Sequence, residues 1–125
     1  MTQDRRTGHN PATMLLRTLP LLLLCMPLMA QAASFDCTKA RAADERAVCA
    51  SRVLSEMDVE MAVRFETLTG LVAMGARGDM QDAQQQFLAA RRRCAADRRC
   101  IAALYRRRIA VLKAEYRQLA SRGPF

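Results

Sequence analysis

The chain has 125 residues, enough for one domain, and its 20 basic and 12 acidic side chains give a formal net charge of +8. Its only histidine is His9, close to the N-terminus. The rest of the chain therefore lacks the imidazole that serine–histidine catalysis, cysteine–histidine catalysis and histidine-ligated metal sites require.

The N-terminal part has the three-part pattern of a secretory signal. Arg17 precedes an almost wholly apolar run over residues 19–30, and Ala30-Gln31-Ala32 places small residues at the two positions that a signal peptidase reads. The run is shorter than the roughly 20 residues of a membrane-spanning helix. We therefore predict a signal peptide over residues 1–32, a domain over residues 33–125 without a transmembrane segment, and a periplasmic or secreted location.

The predicted domain contains four cysteines: Cys37, Cys49, Cys94 and Cys100. An even number of cysteines in a short exported chain is typical of disulfides. Each sequential pair flanks a tight corner, which favours the pairings 37–49 and 94–100. A four-cysteine zinc site is the alternative, but eleven and five intervening residues exceed the two to four that zinc sites favour. We expect neither a metal nor another cofactor.

Four helices are predicted in chain order, because alanine, leucine, methionine, arginine and glutamine dominate. The first covers about residues 42–50. The second follows Ser51 as its N-cap and extends to about residue 73. A flexible loop is expected over residues 75–78, after which Asp79 caps the third helix. Asp97 caps the fourth, which ends at Gly123-Pro124.

The last three helices carry apolar stripes with intervals of three and four residues. The second has Leu54, Met57, Met61, Phe65, Leu68 and Val72. The third has Met80, Ala83, Phe87, Ala90 and Cys94. The fourth has Ile101, Leu104, Tyr105, Ile109, Leu112, Tyr116 and Leu119. This pattern predicts an all-α fold, a small antiparallel bundle of about four helices stapled by two disulfides.

Acidic side chains near the start of the second helix are the first candidate site. Glu56, Asp58 and Glu60 lie close together in sequence, and Asp58 borders the apolar stripe. A catalytic carboxylate pair needs a cleft, which a bundle of this size seldom forms. The alternative is a solvated acidic face near a helix N-terminus. We therefore expect no enzymatic activity and treat Asp58 as a candidate binding residue.

Arginines near the C-terminus are the second candidate site. Residues 33–90 hold six basic and nine acidic side chains, whereas residues 91–125 hold eleven and two. The candidate binding residues here are Arg91, Arg92, Arg106 and Arg107. No aromatic side chains are interleaved with them for base stacking, so a nucleic-acid partner is not expected. An anionic envelope surface or a protein carboxylate fits better, and a merely solvated arginine face is the alternative.

Several of these residues together resemble the LprI-like lysozyme inhibitor family of bacterial envelope proteins. The resemblance covers nearly all of residues 34–120. It rests on Ser34-Phe35-Asp36-Cys37, Ala40, Glu45-Arg46-Ala47-Val48-Cys49-Ala50, Leu54, Met57-Asp58, Phe65, Gln84, Phe87, Arg91, Cys94, Cys100, Leu104-Tyr105, Arg108-Ile109 and Leu112. The chain departs from the family pattern at Met57, Phe65, Phe87 and Arg92, where the family commonly has leucine, tyrosine, tryptophan and aspartate.

The resemblance implies an exported envelope binding protein that inhibits lysozyme through protein–protein contact, and its expected partner is a lysozyme or another envelope protein. The charge distribution points to an alternative function. In that case the chain is a structural or adaptor protein without inhibitory activity, and its basic C-terminal helices bind anionic envelope components.

Overall fold

The computed structural model describes residues 32–123, so the predicted signal peptide lies almost entirely outside the described part of the chain. A short 3-10 turn over Cys37–Lys39 precedes four α-helices. They are α1 (Ala43–Cys49), α2 (Arg52–Leu71), α3 (Met74–Arg93) and α4 (Arg98–Ala120). Residues 32–123 contain no strand. The predicted all-α bundle is confirmed.

Side-chain caps begin two of the helices where the sequence predicts them. The Ser51 hydroxyl accepts a hydrogen bond from the Leu54 amide at 3.4 Å and begins α2. The Asp97 carboxylate accepts hydrogen bonds from two amides of the first turn and begins α4. Each cap provides an acceptor for N–H groups that the first helical turn leaves unpaired.

The start of α3 differs from the sequence prediction. Residues 75–78 are helical rather than a flexible loop, and Asp79 lies inside the helix instead of capping it. The Arg77 amide already donates to the Ala73 carbonyl at 2.9 Å. Glycine lowers helix propensity by about 1 kcal/mol relative to alanine, but it does not by itself end a helix. Two glycines were therefore insufficient grounds for predicting a loop.

The core lies mainly between α2 and α4, which pack together more extensively than any other pair of described elements. The predicted stripes supply most of the buried apolar side chains. The largest of these include Leu54, Met61, Leu68, Phe87, Ile101, Tyr105 and Leu112. The rings of Phe87 and Tyr105 pack in a tilted arrangement with centroids 5.2 Å apart.

Two disulfides join the cysteines in the predicted pairs. Cys37 bonds to Cys49 with their Cα atoms 5.8 Å apart, and this bond ties the N-terminal segment to the end of α1. Cys94 bonds to Cys100 across 5.7 Å between Cα atoms and closes the corner from α3 to α4. Ala95 turns the chain at this corner with a left-handed φ of 50°.

Candidate binding site

The interior contains a polar network with one side chain from each helix. Asp44 comes from α1, Asp58 from α2, Arg91 from α3 and Tyr105 from α4. All four are buried, with exposed fractions between 0% for Tyr105 and 6% for Arg91. Buried charges are tolerated only when they are paired and hydrogen-bonded, so each of these side chains needs a partner inside the bundle.

Arg91 and Tyr105 connect the two carboxylates of the network. Arg91 Nε donates to Asp44 Oδ2 at 2.8 Å, and Arg91 Nη1 donates to the Tyr105 hydroxyl at 2.8 Å. The Tyr105 hydroxyl in turn donates to Asp58 Oδ1 at 2.8 Å, while Arg91 Nη1 lies 3.6 Å from the same oxygen. Burial, reinforced by the charge of Asp58, raises the pKa of Tyr105 far above its usual value. The phenol therefore stays protonated and keeps its donor.

The network also holds the N-terminal segment against the bundle. The second oxygen of Asp58 accepts a hydrogen bond from the Ser34 amide at 2.7 Å. The Arg91 guanidinium lies over the Phe35 ring, 5.6 Å from its centroid. These two contacts place Ser34 and Phe35 at the edge of a groove.

The groove lies between this N-terminal segment, α2 and α3, and has a volume of about 710 Å³. Its apolar lining includes Phe35, Met61, Ala62, Phe65 and Leu88. Its charged lining consists of four carboxylates and two cations: Asp36, Glu45, Asp58, Glu66, Lys39 and Arg91. Negative charge therefore predominates around an apolar floor.

The carboxylates of the groove differ in how they are engaged. Asp36 accepts from Thr38 and lies 3.5 Å from Lys39. Glu45 accepts hydrogen bonds from the amides of Ala42 and Arg41, which lower its pKa and keep it ionised. Glu66 is exposed and, among residues 32–123, has no cationic side chain within 4.0 Å. Glu45 and Glu66 thus leave negative charge available to a partner.

We call the exposed arginines at the end of α3 and along α4 the cationic face. One of them, Arg92, adds to the effect of the amide hydrogen bonds that lower the pKa of Glu45. Arg106 and Arg107 are exposed on α4, and Arg92 is exposed at the end of α3. None of these three forms an ion pair with a carboxylate of the described residues. Other exposed arginines extend the face, namely Arg93, Arg98, Arg99 and Arg117.

The candidate binding residues therefore fall into two groups. Asp58 and Arg91 are neighbours in the interior, so the interpretation of Asp58 as part of a solvated acidic face is wrong. Arg92, Arg106 and Arg107 are at the surface. The two interior residues line the bottom of the groove, and the three surface residues are exposed to solvent.

A second, smaller groove between α2 and α4 corrects another prediction. Tyr116 was expected in the core stripe, but it is 51% exposed and lines this groove with Val59 and Val63. Glu60 at its edge pairs with a lysine and an arginine, which together lower its pKa. The exposure is local to Tyr116, because Leu119, one turn further along the same stripe, still packs against the core.

Asp44 and Tyr105 were missed as polar partners in the sequence. The position of Asp44 could have indicated that it is buried. It precedes Ala47 and Val48 by three and four residues, so it lies on the same helix face as these two buried side chains. Tyr105 was placed in the core, and a buried tyrosine hydroxyl usually has a hydrogen-bond partner.

Within residues 32–123, no helix has the length and apolarity to cross a membrane. The same residues contain no group of three or more histidine, cysteine or acidic side chains arranged to hold a metal ion. Comparisons with protein-family models, curated proteins and solved structures found no significant match.

Proposed function

We propose that the protein is an exported, non-catalytic binding protein of the bacterial envelope that inhibits a lysozyme by protein–protein contact. The observation that carries this proposal is the acidic groove with its apolar floor. Lysozymes are often basic, and charge complementarity at a contact surface favours the correct partner. The resemblance to LprI-like inhibitors supports the same function.

The charged interior supports a binding role rather than a catalytic one. Asp58 and Arg91 are a carboxylate and a guanidinium that line the groove, but both form hydrogen bonds with other groups of the protein. A side chain that acts as an acid or base must reach the proton it transfers. Here these groups hold four helices and the N-terminal segment together.

Cell-wall lysis tests the proposed inhibition. Oxidised protein spanning residues 33–125 is mixed with a c-type lysozyme, and the clearing of a cell-wall suspension is followed by turbidity. We expect slower clearing as the protein concentration rises. Undiminished lysis at large molar excess over the enzyme contradicts the proposal.

A second function is favoured by the cationic face of α3 and α4. Arg92, Arg106 and Arg107 lack carboxylate partners among the described residues, so their charge is available to an anionic envelope polymer or lipid headgroup. Such a protein would act as a structural or adaptor protein of the envelope.

Retention on purified envelope material tests this second function. Binding through exposed arginines weakens steeply with added salt, because the Debye length falls from about 10 Å at 0.1 M to about 3 Å at 1 M. We expect retention at low salt and its loss in the double variant Arg106→Glu/Arg107→Glu. A protein that is not retained even at low salt does not have this function.

A further inference from the structure

The groove between the N-terminal segment, α2 and α3 has an apolar floor and a negatively charged rim, and one type of side chain is complementary to both. Its floor is apolar and includes the aromatic rings of Phe35 and Phe65. Its rim carries the negative charge of Glu45 and Glu66. An arginine side chain presents an aliphatic stem that packs on apolar surface and a planar cation that stacks on aromatic rings and pairs with carboxylates.

We propose that this groove receives an arginine side chain projecting from the surface of a basic protein partner. The guanidinium would lie beside Glu66 and over the Phe65 ring, with its stem along the apolar floor near Ala62. The inference rests on the proposed function for the identity of the protein partner. The recognition of arginine itself rests on the groove.

The groove already shows how this environment accommodates a guanidinium. Arg91 lies beneath it, stacked over Phe35 and paired with Asp44. Because Arg91 uses its contacts to Asp44, Asp58 and Tyr105 within the bundle, its guanidinium does not pair with Glu66. Among residues 32–123, Glu66 has no cation within 4.0 Å, whereas amide hydrogen bonds and nearby cations together lower the pKa of Glu45. A second guanidinium from a partner can occupy that outer position.

The walls of the groove are held in place before a partner arrives. The Asp58–Ser34 hydrogen bond fixes the N-terminal wall, and the disulfide of Cys37 and Cys49 ties the same segment to α1. A site that is already ordered loses less conformational entropy on binding. This favours recognition of a single inserted side chain.

A small probe tests the groove without any lysozyme. N-acetyl-arginine methylamide is titrated into the ¹⁵N-labelled oxidised domain, and backbone amide shifts are recorded by NMR. The neutral analogue N-acetyl-citrulline methylamide has the same shape and serves as the control. We expect saturable shifts around Phe35, Phe65 and Glu66 with the arginine probe alone. Shifts that lie elsewhere, that are equal for both probes or that are absent overturn the proposal.

Two charge reversals on the same helix test the contact with the protein partner. Glu66→Lys reverses a charge at the groove, whereas Glu56→Lys makes the same change at an exposed position outside it. For a c-type lysozyme that the wild type binds, we expect Glu66→Lys to raise Kd about tenfold and Glu56→Lys to change it less than about twofold. Glu66→Gln removes the charge with little change of shape, and circular dichroism verifies that each variant is folded.

The outcomes separate the groove from the proposed function. If the arginine probe binds at the groove and lysozyme does not bind, the groove recognises arginine but the proposed inhibition of lysozyme is wrong. If lysozyme binds but Glu66→Lys and Glu56→Lys behave alike, the inhibition stands and the groove is the wrong surface.

Discussion

At the scale of residues, the buried network explains why a small bundle contains charges in its interior. Asp44 contacts Nε of Arg91, Asp58 lies near its Nη1, and Tyr105 bridges Arg91 to Asp58. Removing one member of such a network leaves the others buried without partners, which costs more than the network contributes when intact. Each member is therefore more sensitive to substitution than an apolar neighbour of equal burial.

Tyr105→Phe tests the network with the smallest possible change. The variant keeps the ring against Phe87 but removes the hydroxyl that joins Arg91 to Asp58. We expect the free energy of unfolding to fall by about 2–3 kcal/mol, because two buried charged groups lose a hydrogen bond. Urea titration measures the loss. The exposed Tyr116 is the matched control, and Tyr116→Phe should change stability by less than about 0.5 kcal/mol.

The raised pKa of Tyr105 predicts a specific response to alkaline pH. A phenol whose pKa is higher in the folded state contributes stability that is complete below its unfolded pKa, about 10. This stability is lost as pH rises from that value toward the folded pKa. We expect the free energy of unfolding to fall above about pH 10, and to fall less in Tyr105→Phe. Equal slopes in the two proteins would contradict this assignment.

If the predicted signal peptide is cleaved, the new N-terminus would add a further charge beside the network. Cleavage after Ala32 makes the nitrogen of buried Ala33 an ammonium group, one residue before the Ser34 amide that binds Asp58. With two carboxylates and one guanidinium, the network has a net charge of −1, which an ammonium group would neutralise. We expect protein that begins at Ala33 to be more stable than its N-terminally acetylated form, by about 1–2 kcal/mol in urea titrations. Equal stability of the two forms would place the ammonium outside the network.

The positions of these residues were more informative than their chemical types. Asp58 lies four residues after Leu54 and three before Met61, so the helical period places it among buried side chains. Arg91 stands in the same relation to Phe87 and Cys94. The helical period therefore points both toward the core, whereas the sequence alone led us to place Asp58 at the border of the stripe and Arg91 among the candidate binding residues of the arginine-rich region. The period does not predict which charges meet there, because that depends on how four helices pack.

At the scale of elements, the period of the apolar residues and the caps of α2 and α4 were sufficient to predict most of the bundle. The start of α3 was not predictable in this way, since Gly75 and Gly78 are read as loop residues when only local preferences are considered. Local propensity is a weak signal that the remainder of a long helix can override. The groove also escaped prediction, because it forms between segments distant in sequence.

Gly78→Ala tests the helical start of α3. In the structure Gly78 lies within the helix, and a Cβ at this position meets no atom within 4 Å. We expect the free energy of unfolding to rise by about 0.5–1 kcal/mol, because alanine has the higher helix propensity. Gly123→Ala is the control, since Gly123 has a φ of +111° that alanine rarely adopts. Gly123→Ala should give no gain, and the absence of a gain at Gly78 would indicate that α3 starts later.

The disulfides make a prediction about the corners between elements. Non-reducing peptide mapping should recover one fragment pair joined by Cys37–Cys49 and another joined by Cys94–Cys100. In the chain-entropy model these bonds contribute about 3 and about 2 kcal/mol. We therefore expect the variant without the first bond to be the less stable. A fragment that joins Cys37 or Cys49 to either of the other two cysteines would contradict the packing.

At the scale of the whole molecule, charge is divided between an acidic groove and a cationic face. Residues 33–90 have three more acidic than basic side chains, whereas residues 91–125 have nine more basic than acidic ones. The net charge of the domain therefore opposes the approach of a basic protein at long range, whereas the proposed contact at the groove would attract it at short range. Long-range fields mainly set association rates, and close contacts mainly set dissociation rates.

This division predicts an unusual salt dependence for binding to a basic lysozyme. In complexes between oppositely charged proteins the association rate falls as salt is added, but here screening removes a net repulsion. We expect the association rate, measured by stopped flow, to rise with salt up to about 0.15 M, where the Debye length is about 8 Å.

The variant Arg106→Glu/Arg107→Glu should associate faster than wild type at low salt, because it removes positive charge from the cationic face and so weakens the repulsion. Glu66→Lys should instead act mainly on the dissociation rate, since it alters the groove. An association rate that falls with salt in the wild type would mean that the lysozyme approaches through a different surface.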